Sequence, residues 1–438
     1  METSTFFSAT DLLSAFLWLI IILLIANNRT QKQDEKIRSY YLWNVVYKLF
    51  FSLVFALIYI LYYGGGDTTA YWDGANCLNN LLINNPGMLV SELFSEPSLK
   101  MMYAHFDDNT GYPPGWIYRE PSAWFLCKIS FFLSLITFKS YIAATFIVSF
   151  IVANSTWAIF KSIINNDLVS SKKLAFAFLF FPSLNFWCTG LSKDSFMLLS
   201  SFFIISIFFN LFSKKKKLSI SILLFLGLYI YIIYSVRPFL IACLVGGLSI
   251  AYGTILIKQF KDNLLVKLFL RFSSFLIIVL GLFFFLRSGY AADMLKEAAV
   301  LQQDFTNNEL YTGKRYEINT SDYSFTGALK TFPNATLTAF YRPFIYEAFS
   351  FTLFLNGLES SILIFFTITF LFKGSVLKKI NIIRKNEFLI FALIFAIFIG
   401  FMAGFSSILF GLLVRIRAPL LPFLFLLLSV NTKQTSEL

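Results

Sequence analysis

Two acidic residues follow a glycine-rich break at the end of a long apolar run. Glycines occupy positions 64–66, and the chain continues through Asp67, Tyr71, Trp72 and Asp73. A carboxylate accepts a proton from a hydroxyl, and aromatic rings stack on sugars or isoprenoid chains. Asp67 and Asp73 are therefore predicted to be catalytic, and Tyr71 and Trp72 to bind substrate. On a helix Asp67 and Tyr71 share a face, whereas Asp73 is expected to point elsewhere.

The same residues have a purely structural interpretation. The glycines would then end one helix, an aspartate would cap the next, and Tyr71 and Trp72 would form an aromatic belt at a membrane boundary. Residue types and spacing alone leave both interpretations open.

A second charge pair, Lys193 beside Asp194, lies at the tip of a predicted hairpin between two apolar runs. Pro182, in the first of these runs, is expected to kink its helix. Charges close to hydrocarbon are costly and commonly functional, so both residues are predicted to be catalytic. The alternative is an ion pair that only caps the turn.

Four arginines lie at or inside the ends of apolar runs, where a guanidinium needs an aqueous cavity or a partner. They are Arg237, Arg342, Arg415 and Arg417. Because forked donors suit phosphate or carboxylate, these arginines are predicted to bind substrate together with Glu347. The alternative is that they pair with Glu347 or Glu359 and lock helices together.

The single histidine, His105, precedes Asp107 and Asp108, and the four cysteines lie far apart without a CxxC spacing. One histidine without a cysteine set is a weak metal signal, so no metal site and no cofactor are predicted. A divalent metal ion at His105 is the alternative.

The elements that must position these residues are membrane helices. Of the 438 residues, 57% are apolar and only 14% are charged, against about 25% charged in soluble domains. The net charge of +12 comes from short basic clusters between apolar runs, which favours topology signals beside an anionic lipid surface over nucleic-acid binding. The composition thus predicts an all-α polytopic membrane protein.

Apolar windows of about 20 residues predict about eleven transmembrane helices. The predicted spans are residues 10–27, 42–63, 140–160, 174–190, 195–212, 218–234, 239–257, 268–286, 346–372, 387–404 and 407–430.

If the basic connectors are cytoplasmic, the amino terminus is outside and the carboxyl terminus inside, provided that the apolar stretch 122–138 lies in the membrane interface. The prediction is then a single transmembrane domain over residues 1–438. It carries a first external loop with interfacial helices at 64–139 and a second external loop at 287–345. Long loops on one face indicate that this face carries the function.

This topology resembles the GT-C superfamily of multispan glycosyltransferases, which use polyprenyl-phosphate-linked sugar donors. Asp67 lies where the catalytic aspartate of that family would be, and residues 122–138 match its juxtamembrane helix. The pattern Gly66, Asp67, Tyr71 also resembles the first external loop of Wzy-type exopolysaccharide polymerases. The chain departs from the family in lacking a DxD motif and paired acids.

Residues and resemblance together predict a glycosyltransferase of the bacterial inner membrane that serves polysaccharide biosynthesis in the cell envelope. It would move a sugar or glycan from a polyprenyl phosphate or diphosphate to a glycan or lipid-linked acceptor on the non-cytoplasmic face. Asp67 would take the acceptor proton, with Asp73 and Asp194 orienting the groups. Arg237, Arg342 and Arg415 would hold the phosphate, with help from Lys193.

Two other classes of function are compatible with the same residues and involve no catalysed reaction. A transporter or flippase of a lipid-linked or anionic solute would bind its cargo through the arginines. A membrane scaffold of a secretion machine would need none of the charges individually.

Overall fold

The computed structural model describes residues 6–164, 169–259 and 324–430, with isolated positions between 260 and 323. Over these residues the regular elements are helices, joined by turns and short connectors, and one isolated antiparallel bridge links Arg315 and Leu409. In chain order the helices are α1 (Ala9–Gln31), α2 (Arg38–Leu57), α3 (Asp67–Asn84), α4 (Pro86–Phe94), α5 (Leu99–His105), α6 (Gly115–Arg119), α7 (Pro121–Ile136), α8 (Tyr141–Ile163), α9 (Ser171–Ala175), α10 (Pro182–Trp187), α11 (Lys193–Phe212), α12 (Ile220–Val236), α13 (Phe239–Gln259), α14 (Phe325–Tyr341), α15 (Phe351–Phe372), α16 (Val376–Lys385), α17 (Glu387–Ser406), α18 (Phe410–Ile416) and α19 (Leu421–Leu428).

Eight segments of the described chain are long and apolar enough to cross a membrane, which makes the protein a multi-pass membrane protein. They are α1, α2 with the π-helical turn Ile58–Tyr62, α8, α11, α13, α15, α17 and the α18–α19 segment. Each coincides with one of the eleven predicted spans.

The other three predicted spans have different outcomes. Residues 174–190 do not form one helix, because Phe181 adopts an extended backbone before Pro182, whose ring disfavours a helical residue ahead of it. Residues 218–234 correspond to α12, an apolar helix of 17 residues. Residues 268–286 lie outside the described residues apart from isolated positions. The count of eleven therefore stays a prediction.

The chain divides into two compact units. The first consists of Met1–Ala158, Leu184–Phe203 and Phe225–Pro238, and the second of Ile159–Ser183, Ile204–Leu224 and Phe239–Leu438. The single transmembrane domain predicted for residues 1–438 is not tested by this division.

In the first unit, the segment expected to be the first external loop folds into the five helices α3 to α7. Helices α3 and α7 pack closely, because Gly74 leaves room for Cys127: a Cβ at position 74 would lie 2.6 Å from its Sγ. The apolar stretch 122–138 corresponds to α7, which has 16 residues. The sequence thus located this helix, while its position in a membrane stays a prediction.

In the second unit, α14 packs along the candidate span α17. Gly400 and Gly404, four residues apart on α17, face α14, and a Cβ at position 404 would lie 2.0 Å from the carbonyl oxygen of Ala335. This is the small-residue packing of membrane helices. Helix α14 lies within the predicted second external loop, 287–345. Most of that loop before residue 324 lies outside the described residues.

Candidate functional site

A cavity of about 360 Å³ lies in the first unit, where the segment after α2 turns into α3. Ile60, at the end of the second candidate span, contributes to its wall, as does Phe6, just before the first span. The cavity therefore lies at the ends of two candidate spans. Its full lining is Phe6, Ile60, Gly64, Gly65, Gly66, Asp67, Thr69, Ala70, Asp73, Pro114 and Trp116.

The three glycines shape the turn that leads into this cavity. Residues 64–66 have φ angles of 66°, 132° and 152°, a region that side chains other than hydrogen disfavour. A Cβ at Gly66 would lie 2.9 Å from the Tyr59 ring. The Thr69 hydroxyl then accepts from the Gly66 amide at 2.9 Å and fixes the first turn of α3. The chain reverses sharply here and places Asp67 at the start of α3.

Both predicted acids line the cavity, although Asp73 was expected to point away from Asp67. The cavity extends along the first two turns of α3, so a difference of six residues does not separate the two side chains. Among the described residues, none donates a hydrogen bond to Oδ1 of Asp73, which is buried. Burial raises the pKa of Asp73 to about 6. A carboxyl group that titrates there is suited to accept a proton near neutral pH.

The two aromatic residues predicted to bind substrate lie elsewhere on α3. Tyr71 is 2% exposed and Trp72 is 3% exposed, and Trp72 packs edge-on against Tyr141 with ring centroids 5.8 Å apart. The aromatic wall of the cavity comes instead from Phe6 and from Trp116, which is 48% exposed. Trp116 was not among the predicted site residues; its one local signal is an aromatic residue directly after two prolines and a glycine.

A charged cluster in the same unit contains Lys193, Asp194 and Arg237. Lys193 contacts Glu120 and donates to the Ser122 hydroxyl at 2.8 Å. Asp67 also lies close enough to attract Lys193 electrostatically. The cluster at the start of α11 therefore lies near one of the two cavity acids.

Asp194 and Arg237 form the second pair of this cluster. Nη2 of Arg237 lies 3.3 Å from Oδ1 of Asp194, whose side chain is fully buried. Among the described residues, none accepts from the buried Nε of Arg237. This guanidinium keeps donor capacity that its acidic partner does not use. Glu120 was not singled out in the sequence, because only tertiary packing brings it to Lys193.

The other four predicted substrate-binding residues belong to the second unit. Arg342 donates from Nε to Glu347 at 3.0 Å, and its guanidinium lies over the rings of Tyr316 and Phe410 at 5.3 and 5.1 Å. The pair with Glu347 matches the structural alternative that the sequence left open. A role for Arg342 and Glu347 in substrate binding stays a prediction.

Arg417 is fully buried, and Arg415, two residues earlier, is partly buried. Arg417 donates to the carbonyl oxygen of Ala339 at 3.3 Å, to the Ser360 hydroxyl at 3.0 Å and to the carbonyl of Arg342. It thus ties α18 to the end of α14 and to α15.

The pairing of Arg342 with Glu347 predicts a particular response to mutation. Arg342→Gln alone leaves a partly buried carboxylate without its cation and should reduce activity and thermal stability. The double variant Arg342→Gln with Glu347→Gln should recover most of both, because removing both members of such a pair is often tolerated. Thermal unfolding and product formation are measured for each variant. A double variant as inactive as the single one, at parental stability, would instead favour direct ligand binding by Arg342.

The candidate metal residue His105 pairs with Glu92: Nδ1 lies 2.5 Å from Oε2. Within the described part of the chain, no group of three or more potential metal ligands comes together.

No protein-family model, curated protein or solved structure matches this chain.

The described structure therefore brings two carboxylates, an exposed tryptophan and a glycine turn to one cavity, with a lysine–arginine cluster beside Asp67. This arrangement can hold a hydroxyl-bearing ligand, accept its proton and place cations near an anionic group.

Proposed function

We propose that the protein is a membrane glycosyltransferase that moves a sugar or glycan from a polyprenyl phosphate or diphosphate to a hydroxyl-bearing acceptor. One observation carries this proposal: two carboxylates line a cavity at the ends of two candidate spans, beside a cluster of cations. A donor with a lipid tail and a polar head needs a site at such a boundary.

In the proposed mechanism, Asp73 accepts the proton of the acceptor hydroxyl as that oxygen attacks the anomeric carbon. Its raised pKa and its unpaired buried oxygen support it in this role. Asp67 lies in the first turn of α3, at the positive end of the helix dipole. It orients the hydroxyl and balances positive charge that develops on the sugar ring. The sequence had assigned the proton transfer to Asp67.

The phosphate leaving group would bind to Lys193 and Arg237. None of the described cavity-lining residues is cationic, so the phosphate would lie beside the cavity and the acceptor inside it. Glu120 and Asp194 hold the two cations in place before substrate arrives. The free donor capacity of Arg237 supports its binding of a phosphate oxygen.

The topology that goes with this function places the cavity on the non-cytoplasmic face of a bacterial inner membrane, with the amino terminus outside and the carboxyl terminus inside. The basic connectors support this orientation. Partners would be the polyprenyl-linked donor, a glycan or lipid-linked acceptor and membrane lipids. The likeness to GT-C and Wzy-type enzymes is part of the proposal.

Transport of a lipid-linked or anionic solute is the second candidate function. It is favoured by the interrupted segment that runs from α9 through a π-helical turn to α10, since broken helices are common at the binding sites of transporters.

Reconstitution separates the two functions. The purified protein is placed in proteoliposomes with a polyprenyl-diphosphate donor that carries a radiolabelled sugar and with an oligosaccharide acceptor. We expect a labelled glycan, which the Asp73→Asn variant should form at least about 10²-fold more slowly. Movement of the labelled lipid between leaflets without any glycan product would contradict the proposed enzyme and favour a transporter.

A further inference from the structure

A buried carboxylate outside the cavity accepts hydrogen bonds from several helices, one of which contributes to the cavity wall. Glu92 lies on α4 with a fully buried side chain. Burying a carboxylate is unfavourable unless hydrogen bonds compensate for the lost water. The partners of Glu92 therefore show what its position achieves.

Each partner of Glu92 comes from a different helix. His105 at the end of α5 lies 2.5 Å from Oε2, the Tyr118 hydroxyl on α6 donates at 3.1 Å, and the Trp124 indole on α7 donates at 2.9 Å. Burial and the charge of Glu92 raise the pKa of Tyr118, so its hydroxyl remains a proton donor. Lys128 on α7 reinforces the assembly by donating to the carbonyls of Leu93 and Ser95 at the end of α4. One carboxylate thus connects four successive helices.

Helix α6 depends on these contacts because it has only five residues. A helix this short does not form in isolation, so packing must fix its position. Two of its residues, Ile117 and Tyr118, are fully buried, whereas Trp116 faces the cavity. Directly after α6 comes Glu120, the partner of Lys193. Along the chain, Tyr118 therefore lies between Trp116 of the cavity and Glu120 of the charged cluster. Its hydrogen bond to Glu92 fixes the segment that carries both residues.

We propose that Glu92 is a positioning residue of the candidate site. Its carboxylate holds α6 and the start of α7 so that Trp116 forms the cavity wall and Glu120 reaches Lys193. An indole face in this place suits the apolar face of a sugar ring. The expected effect on the kinetics rests on the proposed function. The expected effect on the stability of α6 and α7 can be measured without any substrate.

The structural test is hydrogen exchange of the full-length protein in lipid nanodiscs. The Tyr118 amide bonds to the carbonyl of Pro114 at 3.0 Å and the Trp124 amide to that of Glu120 at 2.9 Å. Glu92→Gln keeps the size of the side chain but puts an amide donor among three donors. Hydrogen exchange of both amides should accelerate by about tenfold or more, because the charge-assisted hydrogen bonds to the Glu92 carboxylate are lost. The exchange rates of amides in α8 should stay unchanged.

Two further variants make this test specific. Tyr118→Phe removes a single hydroxyl and should accelerate the same two amides even if Glu92→Gln fails to fold. Glu96→Gln changes an exposed acid close by on the chain and should leave exchange as in the parent. Parental exchange rates at both amides in a folded Glu92→Gln or Tyr118→Phe protein would overturn the proposal.

The kinetic test separates positioning from general destabilisation. With the donor and acceptor described above, Tyr118→Phe should raise the KM for the acceptor by about tenfold, raise the KM for the donor as well because Glu120 holds Lys193, and change kcat little. A loss of kcat alone, with exchange unchanged, would overturn the proposal. If the parent forms no glycan, the proposed function fails, and the exchange measurements still decide the role of Glu92.

Discussion

Asp73→Asn is expected to lower the turnover number of glycosyl transfer by about 10²-fold or more, because asparagine keeps the size of the side chain but cannot accept a proton. Donor binding should change little, since the proposed cations lie in the neighbouring cluster. Product formation from the radiolabelled donor gives the turnover number, and binding of the donor lipid to nanodiscs gives its affinity.

The dependence of turnover on pH adds a second signature to this variant. Burial raises the pKa of Asp73 to about 6, and the base works only when it is deprotonated. The turnover of the parent should therefore rise with pH through about 6 and level off above about 7. The residual activity of Asp73→Asn should lack this rise.

Two other aspartates serve as comparisons. Asp67→Asn should reduce turnover by about tenfold to 10²-fold while the rise through about pH 6 remains, because its role is electrostatic. Asp108→Asn changes an exposed acid that is not among the cavity-lining residues and should be neutral. If Asp67→Asn abolishes the pH dependence and Asp73→Asn does not, the two assignments must be exchanged.

Arg417→Gln is expected to destabilise the second unit by about 3–5 kcal/mol, the usual result of removing one partner from a buried charged network. The change leaves the carbonyls of Ala339 and Arg342 and the Ser360 hydroxyl without their donor. It also removes the cation that interacts with the buried Glu359. Unfolding monitored in a mild detergent measures the loss.

The control for this variant is Arg384→Gln, which removes an exposed arginine from α16. It should change the free energy of unfolding by less than about 0.5 kcal/mol. If Arg417→Gln unfolds like the parent but loses donor binding, Arg417 contacts substrate, as the sequence had suggested.

Local patterns predicted a large part of the fold. The length and the apolar character of the sequence windows located all eight candidate spans. Both properties belong to the span's own residues, because each membrane helix must be long enough and apolar enough to cross the bilayer. Pro182 was expected to kink a span; in the structure the helix ends before it, since proline also restricts the residue that precedes it. The sequence signal for the packing of α14 against α17 is the pair Gly400 and Gly404, four residues apart in an apolar run.

The candidate site was predictable only in part. The glycine break pointed to Asp67 and Asp73. Whether the Asp73 side chain reaches the cavity depends on how far the cavity extends along α3, and the sequence pattern does not give that extent. Trp116, Glu120 and Glu92 were not predicted, because tertiary packing brings each of them to the site or to its partner. For Arg342, residue types allowed both a ligand and a structural partner, and Glu347 lies within reach in the structure.

The lysine inside the second candidate span has a consequence for biogenesis. Lys48 is fully buried, and its ammonium donates to the Asn185 side chain at 2.8 Å. A lysine at the centre of a span opposes insertion by about 2.5–3.5 kcal/mol, which the apolar residues around it must offset. Asn185 is synthesised 137 residues later. The second span therefore enters the bilayer before this amide exists, and its lysine gains that partner only once α10 has left the ribosome. Assembly of the first unit thus cannot be completed before α10 is synthesised, and truncated chains that end before α10 should be preferred substrates of membrane quality-control proteases.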